Sequence, residues 1–316
     1  MIRRRTLLLA GLTASAGLVG SAPLSDAGPV GQVRIATGEQ TAFYLAFGQL
    51  LATELQAAYP RLRCIALPTE ASVANLTMLD KGEAELALTL ADIAEDALTG
   101  NTPFSRPVAL RALGRVYENY LQLAVRADST ITSVPQLAGR TISLSAPGSG
   151  AAAMGSRLMS AAGLTDVRIL HLSMAEAHDA LSARTIDAML VSGGVPLPIL
   201  STLDDEIGIR ILPLSPFLPA MRRAGQTAYE SVLLPPGAYR GGSEVDTIGS
   251  ANLLVCRPDL AEDVAAAVTR VLAQRAGDLV PAQAVGTQFL DVRSLISTGA
   301  VPLHPGAVTA YRSLHG

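Results

Sequence analysis

The sequence predicts an α/β protein of two similar lobes with a cleft between them. Three observations carry this. Short apolar runs alternate with helical patterns in a β-α-β-α-β order, which places parallel strands in a sheet with helices on its faces. That order occurs twice, starting near Val33 and again near Thr141. Extended segments at Tyr120–Arg126 and Ala251–Arg257 are available to join the two series. Ligands in such sheets bind beyond the carboxyl ends of the strands.

The elements follow in order. Val33 to Thr37 reads as a strand, and Phe43, Tyr44, Phe47, Leu50, Leu51 and Leu55 then recur at helical spacing. Arg63 to Pro68 is the second strand. Ser72 is placed to cap a helix carrying Val73, Leu76 and Leu79 and closed by Gly82. Leu86 to Leu90 completes the first series. Tyr120 to Arg126 alternates with period two, and Ser133 to Gly139 reads as one capped turn. The second series is Thr141–Ser145, a helix near 151–162, Val167–Leu172, a helix near 175–183, and Asp187–Val191. Ile209–Leu214 offers a further strand, and Leu233 to Ser250, rich in Gly and Pro, reads as a long loop. Ala251–Arg257 is a late strand, and Pro258 opens a helix to about Arg275 with Leu260, Val264, Val268, Val271 and Leu272 on one stripe.

Composition narrows the function. With 316 residues, 49% of them hydrophobic and 16% charged, the chain can build large cores and is not disordered. Net charge is −3, Lys81 is the single lysine and no basic stripe exists, so nucleic acid is excluded as a partner. Aromatics are 4% with no tryptophan, which argues against stacking platforms. Cys64 and Cys256 each lie in an apolar run and read as small buried hydrophobes, neither a disulfide nor a zinc site.

The first 27 residues read as an export signal. Arg3, Arg4 and Arg5 precede an apolar run from Thr6 to Val19 that is too short for a membrane span, and Ser25-Asp26-Ala27 offers a cleavage site. Arg4-Arg5-Thr6-Leu7-Leu8 is similar to a twin-arginine signal, with the general secretory route as the alternative. Cutting after Ala27 removes three arginines and one aspartate and leaves a net charge of −5. The mature protein is expected in an exported compartment, a periplasm.

The clearest chemical signal is Ser145-Ala146-Pro147-Gly148-Ser149-Gly150, between a strand and a helix. Small residues admit a ligand to the backbone, and free N–H groups with the Ser149 hydroxyl suit a carboxylate or phosphate. A tight turn needing glycine for its dihedrals is the competing reading. The stretch also scans as G-x-G-x-x-A, but a dinucleotide site needs an acid after the next strand, and Leu170-His171-Leu172-Ser173 has none. Ser192-Gly193-Gly194-Val195-Pro196 follows the last strand of that series and can form a second wall. Catalysis finds little support: no G-x-S-x-G elbow surrounds Ser149 or Ser192, and no H-x-x-x-H or C-x-x-C pair occurs. Glu176, His178 and Asp179 do not converge on a helix, and Asp204-Asp205-Glu206 reads as a polar loop. No cofactor and no metal are expected.

Taken in order, several stretches resemble the TAXI family of solute-binding proteins that serve TRAP transporters. These are Ala36-Thr37-Gly38 with Phe43-Tyr44, then Thr69 to Leu76, Gly82-Glu83-Ala84-Glu85-Leu86-Ala87-Leu88, Leu137-Ala138-Gly139-Arg140 with Ala146 to Gly150, Ser192 to Pro196, Pro235 to Tyr239, and Leu303-His304-Pro305-Gly306-Ala307. The resemblance implies a type II periplasmic-binding-protein fold, a small organic solute captured between lobes, carboxylate-bearing and of the amino acid kind, and a membrane permease of the TRAP type as partner. By matching position it makes Tyr44, Ser72, Asn75, Ser149, Gly150 and Gly193 the ligand-binding candidates. Glu39 joins them as a departure. It stands where the family has glycine, Leu90 stands in place of a glutamine, and Ala151 and Ala152 replace a threonine and an acid. A carboxylate there predicts a zwitterionic or amine-bearing solute over a simple dicarboxylate, unless Glu39 pairs with an arginine or faces solvent.

The expected lobes are 28–125 plus 240–316, and 126–239, of a monomer that closes by a hinge through Tyr120–Arg126 and the strand entering Ala251–Arg257. A sensor that signals to a membrane kinase is the alternative with the same fold. An exported hydrolase or NAD-dependent enzyme is a third reading, which the missing elbow and ribose acid oppose.

Overall fold

The computed structural model describes residues 28–40, 43–223, 228–240, 242–281 and 290–314. The export signal lies outside the described residues, as do Thr41 and Ala42 of the first loop.

The first series runs β1 (Gly31–Ala36), α1 (Phe43–Ala58), β2 (Leu62–Leu67), α2 (Ser72–Asp80), β3 (Leu86–Leu90) and α3 (Ala91–Thr99). After β4 (Arg111–Arg126) the second runs β5 (Thr141–Ser143), α4 (Gly150–Ala161), β6 (Arg168–Leu170), α5 (Met174–Ser182), β7 (Ala188–Gly193) and α6 (Pro198–Ile207). Then come β8 (Ile209–Ile211), α7 (Leu218–Arg223), β9 (Tyr229–Leu234), β10 (Val245–Cys256), α8 (Glu262–Gln274), α9 (Val292–Leu295) and α10 (Pro305–Leu314).

Each series builds the same motif. In the first, β2, β1 and β3 are parallel neighbours and antiparallel β10 follows β3; in the second, β6, β5 and β7 are parallel and antiparallel β4 follows β7. Helices on the faces bury the strands, so β3 is apolar and buried along its length apart from Thr89, itself buried. Phe47, Leu51 and Leu55, at helical spacing, press one stripe of α1 onto the sheet with no exposure.

β4 and β10 are shared by both halves. β4 pairs with β10 up to Tyr120 and with β7 from Tyr120 onward, so Tyr120 faces Gly249 on one side and Gly193 on the other. β10 pairs with β3 through Asn252–Cys256 and with β9 through Val245–Ser250. Two register shifts between β10 and β4, at Asn252/Leu253 and Leu254/Val255, bend the ladder near this passage.

Several expectations change. Part of the Leu233–Ser250 loop is strand: Leu233 and Leu234 end β9, and Val245–Ser250 is the start of β10, paired to β9 and hidden from local pattern by Gly249 and Ser250. β4 begins at Arg111, nine residues before the alternation becomes visible. Pro258 lies in a turn, and α8 starts at Glu262. Ser72 is the first residue of α2 and not its cap, because its hydroxyl accepts from Leu90 N at 3.2 Å instead. Asp204 belongs to α6, buried, and accepts from Ile209 N and Arg240 N. Cys64 and Cys256 are free, buried thiols, which burial pushes up to about 12.

Candidate functional site

One cavity of about 50 Å³ collects the carboxyl ends of all six parallel strands. The first series brings Glu39 after β1, Glu70, Ala71 and Ser72 after β2, and Leu90 at the end of β3. The second brings Ser145, Ser149, Gly150 and Ala151 after β5, Met174 after β6, and Ser192 and Gly193 at the end of β7. Phe43 and Tyr44 of α1 and Asn119 of β4 complete the wall.

The two halves cap each other's helices at and beside this cavity. The Gly148 carbonyl accepts from Val73 N at 3.1 Å and Ala74 N at 3.4 Å, in the first turn of α2. The Glu39 carboxylate accepts from Met174 N at 3.2 Å, at the start of α5. Helix N-termini carry unpaired N–H donors and partial positive charge, so a carbonyl and a carboxylate are suitable partners. Burial pushes the Glu39 carboxyl above the ordinary carboxylate range; the Met174 bond opposes this, while Glu176 and Glu70 add to it. Glu39 therefore pairs neither with an arginine nor with solvent alone.

Around this bridge the small residues earn their places sterically. A Cβ on Gly150 would lie 2.5 Å from Leu90 Cδ1 and 2.8 Å from Ser72 Oγ, so only glycine lets α4 approach β3 this closely. Ser149 caps α4, its Oγ accepting from Ala152 N at 3.1 Å. That leaves the Ser149 hydroxyl hydrogen, Gly150 N–H and Ala151 N–H without acceptors among the described residues. Tyr44 donates to Asn252 Oδ1 and lies 3.5 Å from Ser72 Oγ. Gly193 sits at the end of β7 opposite Tyr120.

Asn75 is placed elsewhere. Its Nδ2 donates to Thr37 O at 2.6 Å and Leu88 O at 2.7 Å, and its Oδ1 accepts from Thr69 Oγ1 at 2.5 Å. Every arm of the amide pins β1, β3 and the loop before α2, and none reaches the cavity. Sequence reasoning missed Glu70, Asn119 and Met174 as site residues, while Ser145 and Ser192 lie in the two loops it marked as walls. Two of the cavity residues hold backbone conformations unusual for a side-chain-bearing residue: Ala71 at φ 73° and Ser145 at φ 65°. Such strain costs on the order of 1–3 kcal/mol and concentrates at binding sites.

Just behind α4 a buried polar cluster also spans the halves. Arg157 of α4 contacts Asp92 Oδ2 at 2.5 Å and also Asp96, both on α3. Asp92, with 0% exposure, further accepts from Tyr229 Oη at 2.7 Å and Ser250 Oγ at 3.0 Å. Among the described residues no group of three or more His, Cys, Asp and Glu is arranged to hold a metal, and no helix is long and apolar enough to cross a membrane.

Known structures share this architecture. A candidate L-cystine ABC transporter protein from Listeria monocytogenes matches with a TM-score of 0.54 at 12% identity, over 83% of this chain and 100% of that one. Tv2483, solved bound to L-arginine, matches at 0.51 and 15% identity, over 82% and 93%. The periplasmic aliphatic sulphonate binding protein SsuA from Escherichia coli matches at 0.47 and 18% identity, over 90% and 83%. At these identities the likeness is one of fold, the two-lobed fold of periplasmic binding proteins. The sequence pattern of the NMT1-like family runs from residue 35 to residue 313, through both series and both shared strands, and the chain therefore belongs to the NMT1-like family.

Proposed function

We propose that this protein is an exported solute-binding protein that closes two lobes over a small organic solute and hands it to a membrane permease. The observation that carries the reading is the cavity itself: six strand ends from two α/β series meet on it, and the two series cap each other's helices at and beside it. A site divided in this way opens by separating the series and closes by remaking the caps, which is hinged domain closure. The lobes in this reading are 28–125 plus 240–316 and 126–239, with β4 and β10 as hinge. The solute is carboxylate-bearing and of amino acid size, its acid set against the free N–H groups of Gly150 and Ala151. The amino acid in the Tv2483 structure and the name of the Listeria protein agree with that solute class. The ordered motifs that resemble the TAXI family favour a TRAP-type permease as the partner. Glu39, Tyr44, Ser72, Ser149, Gly150 and Gly193 are the proposed contact residues.

The test is capture. The full chain, purified gently and then unfolded, should release a small organic acid identifiable by mass spectrometry. Gly150→Val, whose side chain would strike Leu90 and Ser72 on closure, should fold but carry no such molecule. A wild-type chain that retains nothing, even after incubation with a small-molecule cell extract, refutes the reading.

A further inference from the structure

The geometry points to a protonated amine as the group this cavity selects, received by Glu39 and Asn119 with Glu70 at the mouth. The inference rests on the proposed solute-binding role of the cavity and specifies what the solute must carry.

Asn119 is the first reason. It lies on β4, 4% exposed, and its Nδ2 donates to Ser192 Oγ at 2.7 Å. Its Oδ1 is buried with no donor among the described residues, and the residue lines the cavity. A buried amide oxygen without a donor is rare, because burial removes the water that would satisfy it. Because Asn119 lines the cavity, a solute held there can bring the donor.

Charge is the second. Among the described residues the lining includes two carboxylates, Glu39 and Glu70, and no lysine, arginine or histidine. Glu39 uses Oε2 on Met174 N, leaving Oε1 open. The neighbouring charges on Glu39 are Glu70 and Glu176, both acidic. Glu70 reaches over the Gly148 turn, its Oε2 within 3.2 Å of where a Cβ on Gly148 would sit. Three acceptor groups and no side-chain cation suit an ammonium, which brings three donors and a positive charge. A dicarboxylate would meet like charge with only neutral N–H and hydroxyl donors to hold it, and a closed, drier cleft magnifies that repulsion. An amino acid and a simple amine both satisfy the acceptors. They differ in whether a carboxylate also engages Gly150 and Ala151.

The test is calorimetric titration of the full chain, stripped of solute by unfolding and refolding. Probes are the common L-amino acids, their N-acetyl derivatives, 1,4-diaminobutane, ethanolamine, succinate and glutarate. We expect an amine-bearing probe to bind and its N-acetylated or amine-free counterpart to lose at least about tenfold, the scale of a charged hydrogen bond. Amino acids binding while the two simple amines do not identifies a zwitterion; the reverse identifies a free amine. Glu39→Gln keeps an acceptor for Met174 N but removes the charge, and should weaken the amine by about tenfold or more while circular dichroism stays native. Asn119→Ala should weaken the same probe. Equal or tighter binding of succinate, glutarate or an N-acetyl probe overturns the proposal, as does an unchanged affinity in Glu39→Gln. Recovery by mass spectrometry of a native solute lacking a basic nitrogen also overturns it and leaves the solute-binding role intact. Failure of every probe and of solute recovery together removes the solute-binding role, and this inference with it.

Discussion

Arg157 and Asp92 join the two halves of the molecule through a contact of 2.5 Å, from the middle of α4 to the first turn of α3. The same α4 presents Gly150 and Ala151 to the cavity two turns earlier. One helix thus carries both part of the cavity wall and an ion pair to the opposite series. In the proposed hinged closure, formation of this buried cluster belongs to the same movement.

Removing Arg157 should cost far more than a surface ion pair. Arg157→Met leaves Asp92 buried with only two hydroxyl donors, and breaking a buried pair from one side costs about 3–5 kcal/mol. The double variant Arg157→Met/Asp92→Asn should recover part of that loss. Urea unfolding of the two single variants and the double one gives the coupling directly. Additive losses would mean that the contact contributes nothing specific.

Glu39 should make the unliganded protein less stable as pH rises, contrary to the usual acid lability. Its carboxyl is held above the ordinary value, so the native state keeps the proton more tightly than the unfolded chain. That contribution is fully present below the unfolded value and is lost as pH rises through the folded one. Melting temperatures of wild type and Glu39→Gln, compared between about pH 4 and pH 7, should differ by an amount that shifts against the wild type with rising pH. A pH-independent difference would refute this.

Tyr117 carries a hydroxyl that its surroundings do not use. The ring is fully buried, edge-on to Phe43 at 4.4 Å, and its Oη has no partner among the described residues. Tyr117→Phe keeps the packing and removes the stranded hydroxyl, so stability should rise by about 1 kcal/mol. A loss of that size in chemical denaturation would show that the hydroxyl has a partner.

Ser149 should matter first for the helix. Its Oγ caps α4, and loss of an N-cap serine costs about 1 kcal/mol. Ser149→Thr should keep the cap and Ser149→Ala should lose it, measured by thermal unfolding without solute. If Ser149→Ala melts like wild type, the side chain serves the cavity alone.

Periodicity made the two β-α-β-α-β series legible, because apolar spacing of 3.6 or 2 is set by each element's own geometry. α3 escaped that reading. Its acids Asp92 and Asp96 are buried, which nothing local predicts, since their partner Arg157 lies 65 and 61 residues away. The loops after strands also announced themselves: small residues at Gly148-Ser149-Gly150 and Ser192-Gly193 mark close approach whichever neighbour arrives. Glu39 was conspicuous as a carboxylate among permissive residues, but its partner was not. Met174 N is 135 residues away and is a backbone group, invisible in side-chain chemistry.

The sequence by itself determined the element types of the two β-α-β-α-β series, the parallel strands within each, the buried cysteines and the glycine turns, because these follow from local sterics and hydrophobic period. Only the tertiary structure decided that Asn75 pins strands while Asn119 lines the cavity, and that Gly148 and Glu39 cap helices of the opposite series. The physical reason is one of range. Two asparagines have identical local chemistry, and what separates them is which carbonyls the folded chain brings within about 3 Å of each amide.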